Sequence, residues 1–258
     1  MTTYRTALIT GASSGIGEEF ARQLAARGTD LVLVARRGDR LEELAGELTR
    51  RSGVDVEVVV ADLTDGDDLR RVERRLEDPD RVVELVVNNA GRGIEGSFTG
   101  SDRDDQEQCV ALNVVALLRL PHAAMAAMVP RGRGGILNVS SIAGDVPTPT
   151  AATYSAAKDF VTTLGQGIHY EAAKDGVHVT TLLPGFVKTE IISEGTHASV
   201  PSFGWVDITA LVAEALRDVE ANKVLSFPSV KYKVATQVLQ TLPRAVVRFV
   251  SSKVDMGA

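Results

Sequence analysis

Seven short apolar runs, most of them rich in β-branched residues, recur along the chain with helix-periodic segments between them. The runs are Ala7–Thr10, Leu31–Ala35, Val56–Ala61, Val82–Val87, Gly135–Val139, Val177–Leu183 and Val224–Phe227. The helical segments are Ile16–Arg27, Arg40–Arg51, Asp67–Leu76, Asp104–Met128, Ala151–Lys174 and Ile208–Ala221. Several runs are apolar at consecutive positions, as strands covered on both faces must be. Strand and helix in alternation imply right-handed crossovers and an α/β fold with a doubly wound parallel sheet, helices on both faces. No linker, low-complexity tract or long-period repeat breaks the pattern, so residues 1–258 read as one domain.

Composition narrows the class. A hydrophobic content of 44% supplies a sizeable core, and no unbroken apolar run is long enough to predict a membrane span. The start, MTTYRTALIT, enters a strand directly and lacks the features of a secretory signal. Cys109 is the single cysteine; with apolar neighbours in a helical stretch it reads as buried and structural. The absence of an intrachain disulfide fits a reducing compartment, and a cytoplasmic location is expected. Four scattered His give no metal-ligand spacing, so no metal is expected. A net charge of −6 argues against nucleic-acid binding.

Gly11, Gly15 and Gly17 follow the first strand and open the first helix. Glycines there let the backbone turn tightly and approach a pyrophosphate, which the helix N-terminus favours through free N–H groups and its dipole. The second strand ends at Ala35, where an acidic residue would hold the ribose 2′-hydroxyl of NAD; Arg36 and Arg37 follow instead. An arginine suits the 2′-phosphate of NADP, so NADP is the expected cofactor, with NAD as the alternative. Asp62 and Leu63 close the third strand, where an adenine edge can be read, and Asn88, Ala90 and Gly91 follow the fourth, where small residues allow close approach.

Tyr154 and Lys158 lie four apart in a helical segment and share one face. Ionising a phenol at neutral pH costs about 4 kcal/mol, and a cation about 4 Å away offsets a similar amount. Lys158 and the cationic nicotinamide of an oxidised cofactor are thus expected to bring Tyr154 into working range as a proton donor and acceptor. Ser141 closes the fifth strand at the edge where such sheets bind ligands, placed to hold a substrate oxygen. Ser140 is its rival but falls on the opposite side of the strand. The sequon at Asn138 lies in a strand expected to be buried and reads as accidental. Asn113, inside Asp104–Met128, either caps a local distortion or anchors a water near Lys158.

TGASSGIG at 10–17, NNAG at 88–91, Asn113, Ser141, YSAAK at 154–158 and the Pro184-Gly185 turn occur in one order, and together they resemble the short-chain dehydrogenase/reductase family over about residues 4–190. The resemblance implies a Rossmann-type sheet of seven strands and hydride transfer to or from a nicotinamide. It implies Tyr154 as general acid/base, Lys158 holding the nicotinamide ribose, Ser141 orienting the substrate oxygen and Asn113 carrying a proton-relay water. It extends the cofactor set to Ser13, Ser14 and Ile16 in the loop, to Asn89 with Ala90 and Gly91, and to Pro184, Gly185, Val187 and Thr189. Members that prefer NADP often carry a basic residue just before the second glycine; Ser14 stands there, leaving Arg36, helped by Arg37, as the main phosphate ligand.

Past about Thr189 the resemblance fades. Residues 190–205 read as a lid over the substrate, with Phe203 and Trp205 as apolar contacts, and residues 92–98 and 142–150 as further pocket walls. Their apolar character points to a small-molecule substrate that is a moderately hydrophobic ketone or secondary alcohol. Between Ala221 and Val254 lie six Lys or Arg and no Asp or Glu, leaving −12 for the rest of a chain whose total is −6. Val234, Val238, Leu242, Ala245 and Phe249 form one apolar helical face there, broken by Pro243. Such a segment covers a cleft or a subunit more often than a membrane, and membrane contact is not expected. The family implies a homodimer or homotetramer built through Asp104–Met128 and Ala151–Lys174. The competing function is an NADP-binding sensor without turnover, which has no need of a complete Ser–Tyr–Lys–Asn set.

Overall fold

A computed structural model describes residues 4–94, 97–145, 150–190 and 202–229. The strands are β1 (Thr6–Thr10), β2 (Asp30–Ala35), β3 (Val56–Val60), β4 (Leu85–Asn88), β5 (Gly134–Val139), β6 (Val177–Leu182) and β7 (Leu225–Ser226). They form one sheet in the order β3-β2-β1-β4-β5-β6-β7, and every pairing is parallel. Helices α1 (Gly15–Ala26), α2 (Gly38–Ser52), α3 (Gly66–Glu77), α4 (Arg103–Val110), α5 (Leu117–Met128), α6 (Ala152–Ala172) and α7 (Ile208–Glu220) cover it.

Consecutive strand residues feed opposite cores. Ile9, Val87 and Leu137 pack with Phe20, Leu24, Leu41 and Leu216 on one face, while Leu8, Val86 and Ile136 pack with Leu69, Val72, Leu120 and Met128 on the other. This is why the runs read as continuous rather than alternating. Burying a Leu or Ile side chain contributes roughly 1.5–3 kcal/mol, so both layers hold the sheet. Helix ends follow local chemistry. Asp65 accepts from the N–H groups of Asp67 and Asp68 at the start of α3, and α2 stops at Gly53 in a left-handed conformation.

Strand limits move by up to three residues from the sequence reading; β4 begins at Leu85 rather than Val82. The larger correction concerns Asp104–Met128, which is not one regular helix. A π-helical stretch, Ala111–Ala116, separates α4 from α5, and Pro121 lies inside α5. Proline has no N–H to give the carbonyl four residues back. That carbonyl belongs to Leu117, and Asn88 Nδ2 donates to it at 3.1 Å. The stretch Arg103–Arg131 is long and apolar enough by composition to cross a membrane. Here one side packs on the sheet through Leu120, Ala124 and Met128, and Arg119 pairs with Glu73 of α3. The apolar face expected between Val234 and Phe249 lies outside the described residues.

Candidate active site

β1 and β4 are neighbours although the chain visits two other strands between them, so the sheet order reverses at this point. The carboxyl ends of β1, β4 and β5 therefore open onto the crevice where doubly wound sheets receive ligands.

The glycine loop forms the first wall. Gly15 has φ +57°, which side chains resist, and Thr189 lies against it, 3.1 Å from where a Cβ would stand. At Gly17 a Cβ would fall 2.3 Å from the Gly11 carbonyl oxygen and 2.6 Å from Asn89 Nδ2. Thr10 clamps this loop to β4: its hydroxyl oxygen accepts from the N–H groups of Asn89 and Ala90, each at 2.9 Å. Asn89 Nδ2 donates back to the Thr10 carbonyl at 2.9 Å. Ser14, at the N-cap of α1, gives no side-chain cap. The amino end of α1, with its partial positive charge and no side-chain cap, thus opens on a glycine-lined turn, which fits a diphosphate.

The two arginines are placed differently from each other. Arg37 holds the loop: Nε donates to Ser13 Oγ and Nη2 to the Ser13 carbonyl, both at 3.2 Å, and Nη1 pairs with Glu190 at 3.0 Å. Arg36 stands at the rim, 74% exposed and 3.9 Å from Asp62. Arg37 occupies the N-cap position of α2, and that turn folds its guanidinium back onto the loop. Arg40 also reaches this edge, lining a cavity of about 80 Å³ with Ser13, Arg22 and the carboxylates of Glu18, Glu43 and Glu47.

Asp62 and Leu63 follow β3, with the Asp62 side chain 39% exposed. Burial pushes the Asp62 carboxyl up, but two hydrogen bonds from Thr64 and the charge of Arg36 outweigh it and hold it below the usual carboxylate range. The Leu63 side chain is buried in the core. Asn88 does not open onto the cleft either: its side chain is buried against Leu117 and Asn138.

The second cluster lies at the end of β5. Ser141 Oγ accepts from Ala143 N at 3.1 Å and is hydrogen-bonded to the Tyr154 phenol. Ser140 turns the other way, to the Lys158 carbonyl and Thr162 Oγ1, each at 2.7 Å. Lys158 is buried one turn after Tyr154; Nζ donates to the Val139 carbonyl at 2.9 Å and lies 5.6 Å from the centre of the Tyr154 ring. A Cβ on Gly91 would stand 2.7 Å from Asn113 Oδ1 and 3.4 Å from Lys158 Nζ, so residues 91, 113 and 158 converge. Asn113 sits in the π-helical stretch. Its Nδ2 donates to the Arg92 carbonyl at 2.8 Å and its Oδ1 accepts from Arg92 N at 3.3 Å. The side chain therefore anchors the turn after β4. Cys109 is buried as expected, and its sulfur accepts from Asn113 Nδ2 at 3.2 Å.

Burial governs the charges here. It pushes the Tyr154 phenol up to about 12 despite the Ser141 hydrogen bond. It pulls the Lys158 ammonium down to about 8. Without the nicotinamide cation, desolvation of the phenolate outweighs a cation 5.6 Å from the ring.

The mouth of the crevice is aromatic. Phe186 and Trp205 are bridged, their rings 6.1 Å apart, and Lys188 Nζ lies 5.6 Å over the Trp205 ring. Val187 is buried in the core and Ile16 packs partly against it; Pro184 accepts from Ile142 N through its carbonyl, which ties the turn at Gly185 to the end of β5. Of the expected lid, residues 191–201 and the Phe203 side chain lie outside the described residues, as do 95–96 and 146–149 of the pocket walls. The sequence reading missed Thr10, Arg40 and Glu190. A threonine closing the strand before a glycine loop is a usable signal; the partner of Glu190 is not legible without the fold.

The sequence model of short chain dehydrogenases matches residues 5–199. The chain belongs to the short-chain dehydrogenase family. It is an oxidoreductase of that family, similar over its length to solved members. The NADPH complex of a short-chain dehydrogenase from Sphingobium yanoikuyae shares 36% identity with a TM-score of 0.80, covering 93% of this chain and 97% of that one. The bulky-bulky ketone specific alcohol dehydrogenase from Comamonas testosteroni shares 32% identity with a TM-score of 0.80, over 95% and 97%. A very-long-chain 3-oxoacyl-CoA reductase of Anas platyrhynchos is 33% identical over 202 residues, 76% of this short-chain dehydrogenase; the match spans 63% of the duck protein's length.

Proposed function

We propose that this short-chain dehydrogenase moves hydride between NADP(H) and a moderately hydrophobic ketone or secondary alcohol, with Tyr154 as general acid/base. The observation that carries the reading is the Ser141–Tyr154–Lys158 cluster, hydrogen-bonded and partly buried at the strand ends beside the glycine loop.

In this reading residues 11–17 hold the diphosphate, with Asn89, Ala90 and Gly91 forming the wall beneath the ribose. Arg37, with Arg36 at the rim, faces the 2′-phosphate; β2 ends at Ala35 and offers no carboxylate to a free 2′-hydroxyl. Lys158 and Thr189 stand where the nicotinamide half would lie. When bound, the nicotinamide supplies or accepts hydride at C4. Ser141 and Tyr154 both offer hydroxyl protons to a substrate oxygen placed between them. A phenol near 12 is fully protonated at neutral pH, so Tyr154 stands ready to donate to a carbonyl that is gaining charge. Buried Lys158 stabilises the phenolate left behind. Phe186 and Trp205 supply an apolar wall suited to a bulky group.

The NADPH carried by the Sphingobium neighbour and the bulky ketones of the Comamonas neighbour support the cofactor and the substrate class. Exposed Val110, Val115 and Leu118 along α4–α5, with Tyr170 on α6, support association through these helices as a homodimer or homotetramer. The test is loss of nicotinamide absorbance across a panel from small ketones to long acyl and steroid ketones, with NADPH and NADH in parallel. Turnover of bulky apolar ketones with NADPH is expected. NADPH binding without turnover of any carbonyl would overturn the reading in favour of a sensor.

A further inference from the structure

Among the described residues the Arg37 guanidinium has three polar contacts, and they lie on two parts of the chain. Two tie it to Ser13 in the glycine loop, and the third is the Glu190 carboxylate at 3.0 Å. Glu190 follows Thr189, which rests against Gly15. The segment after β6 therefore sets an anion on the guanidinium that donates to Ser13 of the loop.

We propose that Glu190 is a specificity-determining residue: its carboxylate stands in for the cofactor's 2′-phosphate on Arg37 and sets how strongly that phosphate is preferred. The inference rests on the assignment of NADP(H) as cofactor. A phosphate monoester and a carboxylate make the same charge-assisted bonds to a guanidinium fork, so Arg37 can serve the phosphate fully only as Glu190 releases it. Glu190 also lies close enough to repel a dianion seated there. The Arg37 and Glu190 side chains are 45% and 60% exposed, so the exchange needs no rearrangement of the core. Arg36, at the rim, has its own carboxylate neighbour, Asp62 Oδ2 at 3.9 Å, a longer pairing than that of Arg37 with Glu190.

The test uses the full-length protein without cofactor and two probes, 2′,5′-ADP and 5′-AMP, which differ by the phosphate in question, with NADPH followed by its own fluorescence. Glu190→Gln is expected to tighten 2′,5′-ADP and NADPH by about three- to tenfold and to leave 5′-AMP within about twofold. In an Arg37→Ala background the same change should lose most of its effect, because the two residues act on one phosphate. Unchanged or weaker 2′,5′-ADP binding in Glu190→Gln, with the wild type still preferring 2′,5′-ADP over 5′-AMP, would overturn the role of Glu190 and leave the cofactor assignment standing. A wild type that binds both probes equally would overturn the cofactor assignment itself.

Discussion

Replacing Lys158 with Met should separate stability from activity and expose the charge state of the site. Lys158 is 4% exposed, and burial pulls its ammonium from the ordinary 10.5 down to about 8. Near pH 7 the folded protein therefore holds a cation whose burial opposes folding by about 3 kcal/mol. Met removes that opposition, fills similar volume, and leaves the Val139 carbonyl without its donor at 2.9 Å, a loss of about 1–3 kcal/mol. The variant should thus be as stable as the wild type near pH 7, or slightly more so. The pH dependence is the sharper reading. A lysine depressed by folding holds more protons in the unfolded chain between about 8 and 10.5, so stability rises with pH through that window and falls as pH drops through about 8. Wild type should gain about 2–3 kcal/mol on the variant between about pH 7 and pH 10, since every other group titrates in both. Urea unfolding followed by the single tryptophan, Trp205, measures this. A wild-type-minus-variant difference that stays flat across the range would refute the assignment of a depressed Lys158.

Gly17→Ala should destabilise by about 1–3 kcal/mol and abolish NADPH binding, because the new Cβ meets the Gly11 carbonyl even though alanine favours helix; a folded variant that binds normally would contradict the cradle. Asn88→Ala should lower stability by about 1–3 kcal/mol through the orphaned Leu117 carbonyl, and by less when Pro121→Ala restores the helical donor. Additive losses in urea melts would show that Asn88 does not serve that carbonyl. Arg37→Ala should raise KM for NADPH by about tenfold and more than Arg36→Ala does, with little effect on NADH; the opposite order would make Arg36 the main phosphate ligand.

The alternation of apolar runs and helical segments was enough to read the parallel sheet, since strands buried on both faces leave continuous runs such as Leu31–Ala35. What escaped the sequence were interactions that cancel local irregularities. Pro121 and the π-helical stretch at Ala111–Ala116 are invisible to helical periodicity: Asn88, far away in sequence, satisfies the carbonyl that Pro121 leaves, and the Asn113 side chain within the π-helical stretch bonds to Arg92. The site was legible wherever a motif fixes a local geometry, as at Gly15, Ser141 and the Tyr154–Lys158 turn. It was not legible where a long side chain chooses between partners. Arg36 and Arg37 are adjacent and alike in sequence, and only the turn into α2 decides which of them reaches Ser13. The balance of charge at Tyr154 was likewise out of reach, because desolvation depends on burial that no spacing reveals.

The measurement closest to the central claim is single-turnover reduction of a bulky ketone by Tyr154→Phe, beside NADPH binding by the same protein. Phe keeps the ring and loses the hydroxyl bonded to Ser141. General acid catalysis supplies about 10²–10⁴ of rate, so turnover should fall by at least that much while NADPH binding stays within about threefold. Turnover within about tenfold of wild type would contradict Tyr154 as the proton donor.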